Sequence, residues 1–123
     1  MRRSDFVEYV VHDLLSGVDG IQARAMFGGH GIYRHGVMFA IIVDDQLYFK
    51  VGDANKSAYE ARGCRPFTYQ SSRGRSVAMS YWEVPADILE DREEIHRWAD
   101  ASYRISQTLR RAAGSGNNRI IPA

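Results

Sequence analysis

Apolar residues at Phe6, Val7, Val10, Val11, Leu14 and Leu15 recur at the spacing that fills one face of a helix, with Glu8, His12 and Asp13 opposite. Ser4 or Asp5 is placed to cap its start and Gly17 to end it. From Ile21 to Val51 the period shortens to two, and three strands are predicted. The first, Arg24 to Tyr33, contains Gly28, Gly29 and Gly31. Glycines inside a strand pattern call for a bulge, a sharp bend, or the close approach of another backbone. Arg34-His35-Gly36 then turns the chain into Val37–Val43, which is rich in β-branched and aromatic residues, and Asp44-Asp45 turns it again into Leu47–Val51.

A short helix is expected from Ala54 to Arg62, capped by Asp53 and ended by Gly63. Pro66–Gln70 and Val77–Trp82 read as a further hairpin across the polar loop at residues 71–76, and Pro85 marks the exit from the sheet. Asp91 and Glu94 have capping-box spacing, after which Ile95, Trp98, Ser102, Ile105 and Leu109 form one helical stripe. Gly114 to Asn118 ends that pattern. The order α-β-β-β-α-β-β-α predicts a two-layer α+β domain whose helices cover one face of an antiparallel five-stranded sheet.

Composition narrows this picture. With 123 residues, 45% hydrophobic and 25% charged, the chain suits one globular domain. We expect that domain over residues 4–112, with a flexible tail at 113–123. A single cysteine excludes an internal disulfide framework. The longest apolar run, Val37–Val43, is far below the ~20 residues of a membrane-spanning helix, and the N-terminus does not read as a signal peptide. A soluble, cytoplasmic protein with no membrane partner is therefore expected.

Candidate chemistry is sparse. Cys64 beside Arg65 raises the idea of an activated thiol, against the commoner inert, buried cysteine. His12, His30, His35 and His96 lack metal-ligand spacing, so no metal or cofactor is expected. The bend at Gly28–Gly31 offers backbone N–H groups for a small ligand, although structural glycines are the simpler reading. Charge is distributed more tellingly than its net +1 suggests. Between Ala61 and Trp82 there is no acid, while Arg62, Arg65, Arg73 and Arg75 lie among Phe67, Tyr69, Tyr81 and Trp82. This stretch is the candidate interaction surface. It suits phosphates and bases, or a protein partner, or else a guarded sheet edge whose arginines face the acids of residues 83–94.

One ordered series of motifs carries a resemblance. Met26-Phe27-Gly28-Gly29-x-Gly31, then Leu47-Tyr48-Phe49-Lys50, then Met79-x-Tyr81-Trp82-Glu83-Val84-Pro85 together resemble the N-terminal domain of the TfoX/Sxy family of bacterial competence regulators, over roughly residues 4 to 110. The resemblance implies a bacterial α+β domain linked to transcription regulation, and it assigns most of these motif residues to shape. We expect a stand-alone domain, without the C-terminal domain of those regulators. The expectation is a non-enzymatic regulatory domain working through protein contacts, with homodimerisation through a sheet edge. The alternatives are a weak nucleic-acid-binding module at the Arg62–Arg75 hairpin and a small-molecule site at the glycine bend.

Overall fold

The computed structural model describes residues 3–26 and 28–119, with side chains described for 5–26 and 28–113. The N-terminal helix α1 (Arg3–Tyr9) starts ahead of Ser4 and Asp5, which lie inside its first turn. It then widens into a π-helical segment at Val10–Leu14, where the Leu15 N–H reaches back to the Val10 carbonyl at 3.0 Å. Gly17 follows with φ +86°, the left-handed stop that a glycine takes without a Cβ penalty.

The sheet has six strands rather than five: β1 (Ile21–Met26), β2 (Gly29–Arg34), β3 (Val37–Val43), β4 (Gln46–Lys50), β5 (Pro66–Gln70) and β6 (Ser76–Glu83). The extra strand arises where the sequence predicts one interrupted strand. Met26 pairs with Gly29, so the chain reverses between them at Gly28, whose φ is +76°. The sharp-bend reading of the glycines thus holds at Gly28, and the close-approach reading holds at Gly29. A Cβ on Gly29 would collide with the Ile42 carbonyl oxygen. The bulge lies elsewhere, between Ile32 and Tyr33, where β3 carries the extra residue Phe39.

All pairings are antiparallel, in the spatial order β1-β2-β3-β4-β6-β5. Between β4 and β5 runs α2 (Lys56–Ala61), which begins two residues later than expected. Its entry is organised by Asn55, not Asp53: Asn55 Oδ1 accepts from Gly52 N at 2.8 Å, and Nδ2 donates to the Lys50 carbonyl. After β6, Pro85 opens a short helix α3 (Ala86–Leu89). The Asp91 carboxylate then accepts from the Glu94 N–H at 3.2 Å, the expected cap, and α4 (Arg92–Arg119) begins. This helix passes Gly114, where the glycines predict an end. Residues 120–123 of the expected tail lie outside the described residues.

All the described helices pack on one face of the sheet. Val10, Leu14 and Leu15 meet Ile32, Phe39, Ile42, Leu47 and Phe49 from the strands, with Tyr59, Ile88, Ile95 and Ala99 closing the core. Tyr59 stands edge-on to Trp98 at 4.7 Å and to Trp82 at 6.3 Å, tying α2, α4 and β6 together. Ser102 is fully buried in α4 and donates to the Lys50 carbonyl at 2.7 Å, anchoring the helix to the end of β4. This is the two-layer α+β arrangement that the sequence predicts.

Candidate functional site

Because side chains alternate along a strand, the pairing registers assign the second face of the sheet residue by residue. Gly31 pairs with Arg24 and Ile41, Tyr33 with Met38, Ile41 with Tyr48, and Lys50 with Tyr81. These positions face away from the helices. The space above Gly31 confirms the assignment, since an added Cβ would lie 2.7 Å from the Met38 sulfur and 2.9 Å from that of Met26. No described helix covers this face. It is built from aromatic, methionine and aliphatic side chains with two cations among them.

Both cations lie over rings. The Arg24 guanidinium is 5.0 Å from the Tyr33 centroid, and Lys50 Nζ is 5.1 Å from that of Tyr81. Lys50 also donates to Ser80 Oγ at 2.5 Å. Burial holds the Lys50 ammonium below its usual pKa and pushes the Tyr81 phenol up to about 12, with Tyr33 adding to the latter. At the other end of the face Tyr48 stands edge-on to Phe67 at 5.2 Å. Its phenol is raised by burial first, then by Glu83 and Asp44.

The Tyr81 shift has a measurable consequence. Its folded pKa lies above the unfolded value of 10, so its share of stability is intact below pH 10 and is lost as pH rises towards 12. Tyr48 and the buried Tyr59 act in the same direction, whereas Lys50 acts oppositely just below pH 10.5. The unfolding free energy from denaturant titrations should therefore fall between pH 10 and 12, by roughly 2 kcal/mol for Tyr81. Tyr81→Phe should flatten that fall. An unchanged slope in the variant would contradict the assignment.

The four arginines expected to form one surface do not lie together. Arg62 turns back to the helical layer, 3.4 Å from Asp87 and with its guanidinium 5.1 Å from the Trp98 ring. At Arg65 the backbone N–H donates to Glu83 Oε1. Arg73 and Arg75 occupy the tip of the β5–β6 hairpin, where Ser71 Oγ accepts from both backbone N–H groups and both residues are exposed. Neither reaches the acids of residues 83–94, so the guarded-edge account fits Arg62 but not the hairpin tip. Glu94 instead binds Arg97, and Asp100 binds Arg34 and Arg104.

Other candidates resolve more simply. Cys64 is half-buried against the core, and its thiol is pushed up by burial and then by Glu83, with Arg62 opposing; that is the reverse of activation. His30 and His35 sit at opposite ends of the second strand region, and the described residues hold no His/Cys/Asp/Glu group suited to a metal. His35 and Gly36, at φ 50° and 80°, form the two-residue β2–β3 turn. The glycine bend lines neither of two surface cavities. One, of about 370 Å³, lies between the first helical segment and β1, against Val11, His12, Ile21 and Ala23. The other, of about 200 Å³, is bordered by Tyr59 and Trp98. Of the motif residues, Phe27 lies outside the described residues. Trp82 packs on the core and Pro85 is buried at the start of α3.

The model of the TfoX N-terminal domain matches residues 13–106, most of the folded chain. The chain belongs to the TfoX N-terminal domain family. Among curated proteins it is similar to DNA transformation protein TfoX1 of Aliivibrio fischeri, with 35% identity over 106 residues. That match takes in 80% of this chain and 48% of the relative, so the chain spans about half the relative's length. No helix among the described residues is long and apolar enough to cross a membrane.

The sequence reading passed over Arg24, Tyr33 and the open-face role of Lys50. A signal was present: Val37–Val43 is apolar at every position, the pattern of a strand with both faces apolar, while the predicted helices suffice for only one layer.

Proposed function

We propose that this TfoX N-terminal domain is a non-enzymatic regulatory module that works by holding an extended segment of a protein partner against strand β1. The observation that carries this reading is the character of that edge. Natural edges are protected by proline, bulges, lysines or a covering element. β1 has the regular register Ile21↔Arg34 to Met26↔Gly29 and contains no proline. Its one charged side chain, Arg24, is folded over Tyr33. Beside it runs the 370 Å³ groove, walled by Val11, Ile21 and Ala23 together with Glu8, His12, Gln22 and Arg24. A seventh strand would take its backbone hydrogen bonds from β1 and seat alternate side chains in that groove. The similarity to a DNA transformation protein of Aliivibrio fischeri supports reading the module's setting as DNA transformation.

The test is affinity capture from native cell extract with the wild-type chain and with Ala25→Lys, which puts a charge on an exposed edge position. A specific partner should be retained by the wild type and reduced roughly tenfold by the variant, the effect of about 1.4 kcal/mol. Equal recovery by both, or no partner with either, would defeat the reading. Sedimentation of the two forms shows whether the partner is a second copy of the chain.

A further inference from the structure

We infer that the uncovered sheet face, at the end carrying Tyr33, Lys50 and the β5–β6 hairpin tip, is a binding platform for single-stranded nucleic acid. This does not rest on the β1-edge reading, since it concerns a different surface.

The first argument is how the structure sorts charge. Several cations on the helical side are held in ion pairs, Arg34 and Arg104 with Asp100, Arg62 with Asp87, and Arg97 with Glu94, while Lys56 on α2 and Arg111 on α4 are in none of them. Arg92 and Arg110 donate to the carbonyls of Asp13 and Gly36. None of the ion pairs among the described residues includes Arg24, Lys50, Arg73 or Arg75. Those four share the open face or the hairpin tip beside it.

The second argument is where the acids go. Strand directions place Lys50, Tyr81, Tyr33 and the hairpin tip at one end of the face, and the Asp44-Asp45 turn, Tyr48 and Glu83 at the other. The open face therefore carries Lys50 and the hairpin-tip arginines toward one end and Asp44, Asp45 and Glu83 toward the other. Arg24 is rooted in the row of Tyr48 and Glu83, with its guanidinium reaching over Tyr33. A polyanion is attracted to the Lys50 end and repelled by the acids at the other, which sets a path across the strands.

The third argument is the rings on that path. Tyr69, opposite Val77 on β5, is 47% exposed, and Tyr33 on β2 is partly exposed. Four strand spacings separate β2 from β5, about 19 Å, with Met38, Lys50 and Tyr81 between. The exposed ring of Tyr69, with the partly exposed Tyr33 under the Arg24 guanidinium at the far end, suits splayed bases, whose faces are free to stack. In a duplex those faces are covered by neighbouring bases, so the platform selects single strands.

Fluorescence anisotropy of the full chain with a labelled mixed-sequence 20-mer, and with its duplex, tests this at low salt and over a salt series. We expect the single strand to bind at least tenfold more tightly than the duplex. Tyr69→Ala should weaken it roughly tenfold, the effect of removing one base stack, while Tyr69→Phe retains affinity. Arg73→Ala with Arg75→Ala should lower the salt slope by about 1.4, or about 0.7 for each phosphate no longer neutralised. Arg97→Ala, on the helical side, should change nothing, and circular dichroism checks that each variant folds. Absence of single-strand binding at low salt overturns the inference. So does equal duplex affinity with Tyr69→Ala silent, which marks a plain polyanion surface. A protein partner that Tyr69→Ala no longer retains, when the oligonucleotide does not bind, would assign this face to protein instead. The Ala25→Lys capture result stands or falls separately from each of these.

Discussion

Phe49→Ala is expected to cost about 3–5 kcal/mol, the range for deleting a fully buried aromatic side chain. Phe49 sits mid-sheet, between Ala40 on β3 and Trp82 on β6, with no exposed surface. Its ring is 6.0 Å from that of Phe39, and α4 packs against β3 and β4 in the same core. The strand backbones on either side are held by ladder hydrogen bonds, so the cavity cannot collapse, and the loss should fall near the upper end. Against a typical domain stability of about 5–15 kcal/mol, that removes much of the margin. Thermal and urea unfolding followed by circular dichroism should show a Tm lower by roughly 10–20 °C. A drop of only a few degrees would mean that this ring is not the centre of the core.

Gly29→Ala should be nearly as damaging for a different reason. The added Cβ would overlap the Ile42 carbonyl oxygen and press on Val43 Cγ2 at 3.2 Å. A backbone carbonyl in a ladder has no alternative rotamer, so β2 and β3 must separate or shift register. We expect a loss of about 3 kcal/mol, the upper part of the overpacking range. Two neighbouring glycines serve as controls. Gly31→Ala meets only the flexible ends of Met38, Met26 and Tyr33 and should cost less. Gly28→Ala meets nothing within 4 Å but forces a Cβ into φ +76°, for about 1–2 kcal/mol. Chemical denaturation of the three variants should rank Gly29→Ala as the most destabilised. If Gly31→Ala proved the worse, the β2–β3 contact would not be the constraint that places glycine here.

Much of the fold was legible because its signals are local. The period of two over residues 21–51, the Asp44-Asp45 and His35-Gly36 turns, and the Asp91–Glu94 cap each act within a few residues. What was misread also has a local cause. A glycine inside an alternating pattern signals a bulge and a reversal equally well, and only the Met26↔Gly29 pairing shows that Gly28 is the reversal. Asn55 displaced Asp53 as the organiser of α2 because its side chain carries both a donor and an acceptor for the Gly52 and Lys50 backbone.

The candidate surface was the less legible part. Arg62, Arg65, Arg73 and Arg75 are close in sequence, yet the fold turns Arg62 to Asp87 and Trp98 and leaves Arg73 and Arg75 at a hairpin tip. Arg24 and Lys50, distant from them in sequence, share their side of the sheet. A side chain's partner depends on which strands become neighbours, and chain order does not say so.

The sequence by itself determined the α+β class, the antiparallel hairpins and the glycines at the first bend, because helix and strand periods and tight-turn chemistry are written in adjacent residues. The tertiary structure alone decided that β6 rather than β5 lies beside β4, that the helices leave one sheet face open, and that Arg24 and Lys50 share that face. Those outcomes follow from the Phe49↔Trp82 and Lys50↔Tyr81 pairings, which join segments more than thirty residues apart and whose geometry is set by burial of the common core.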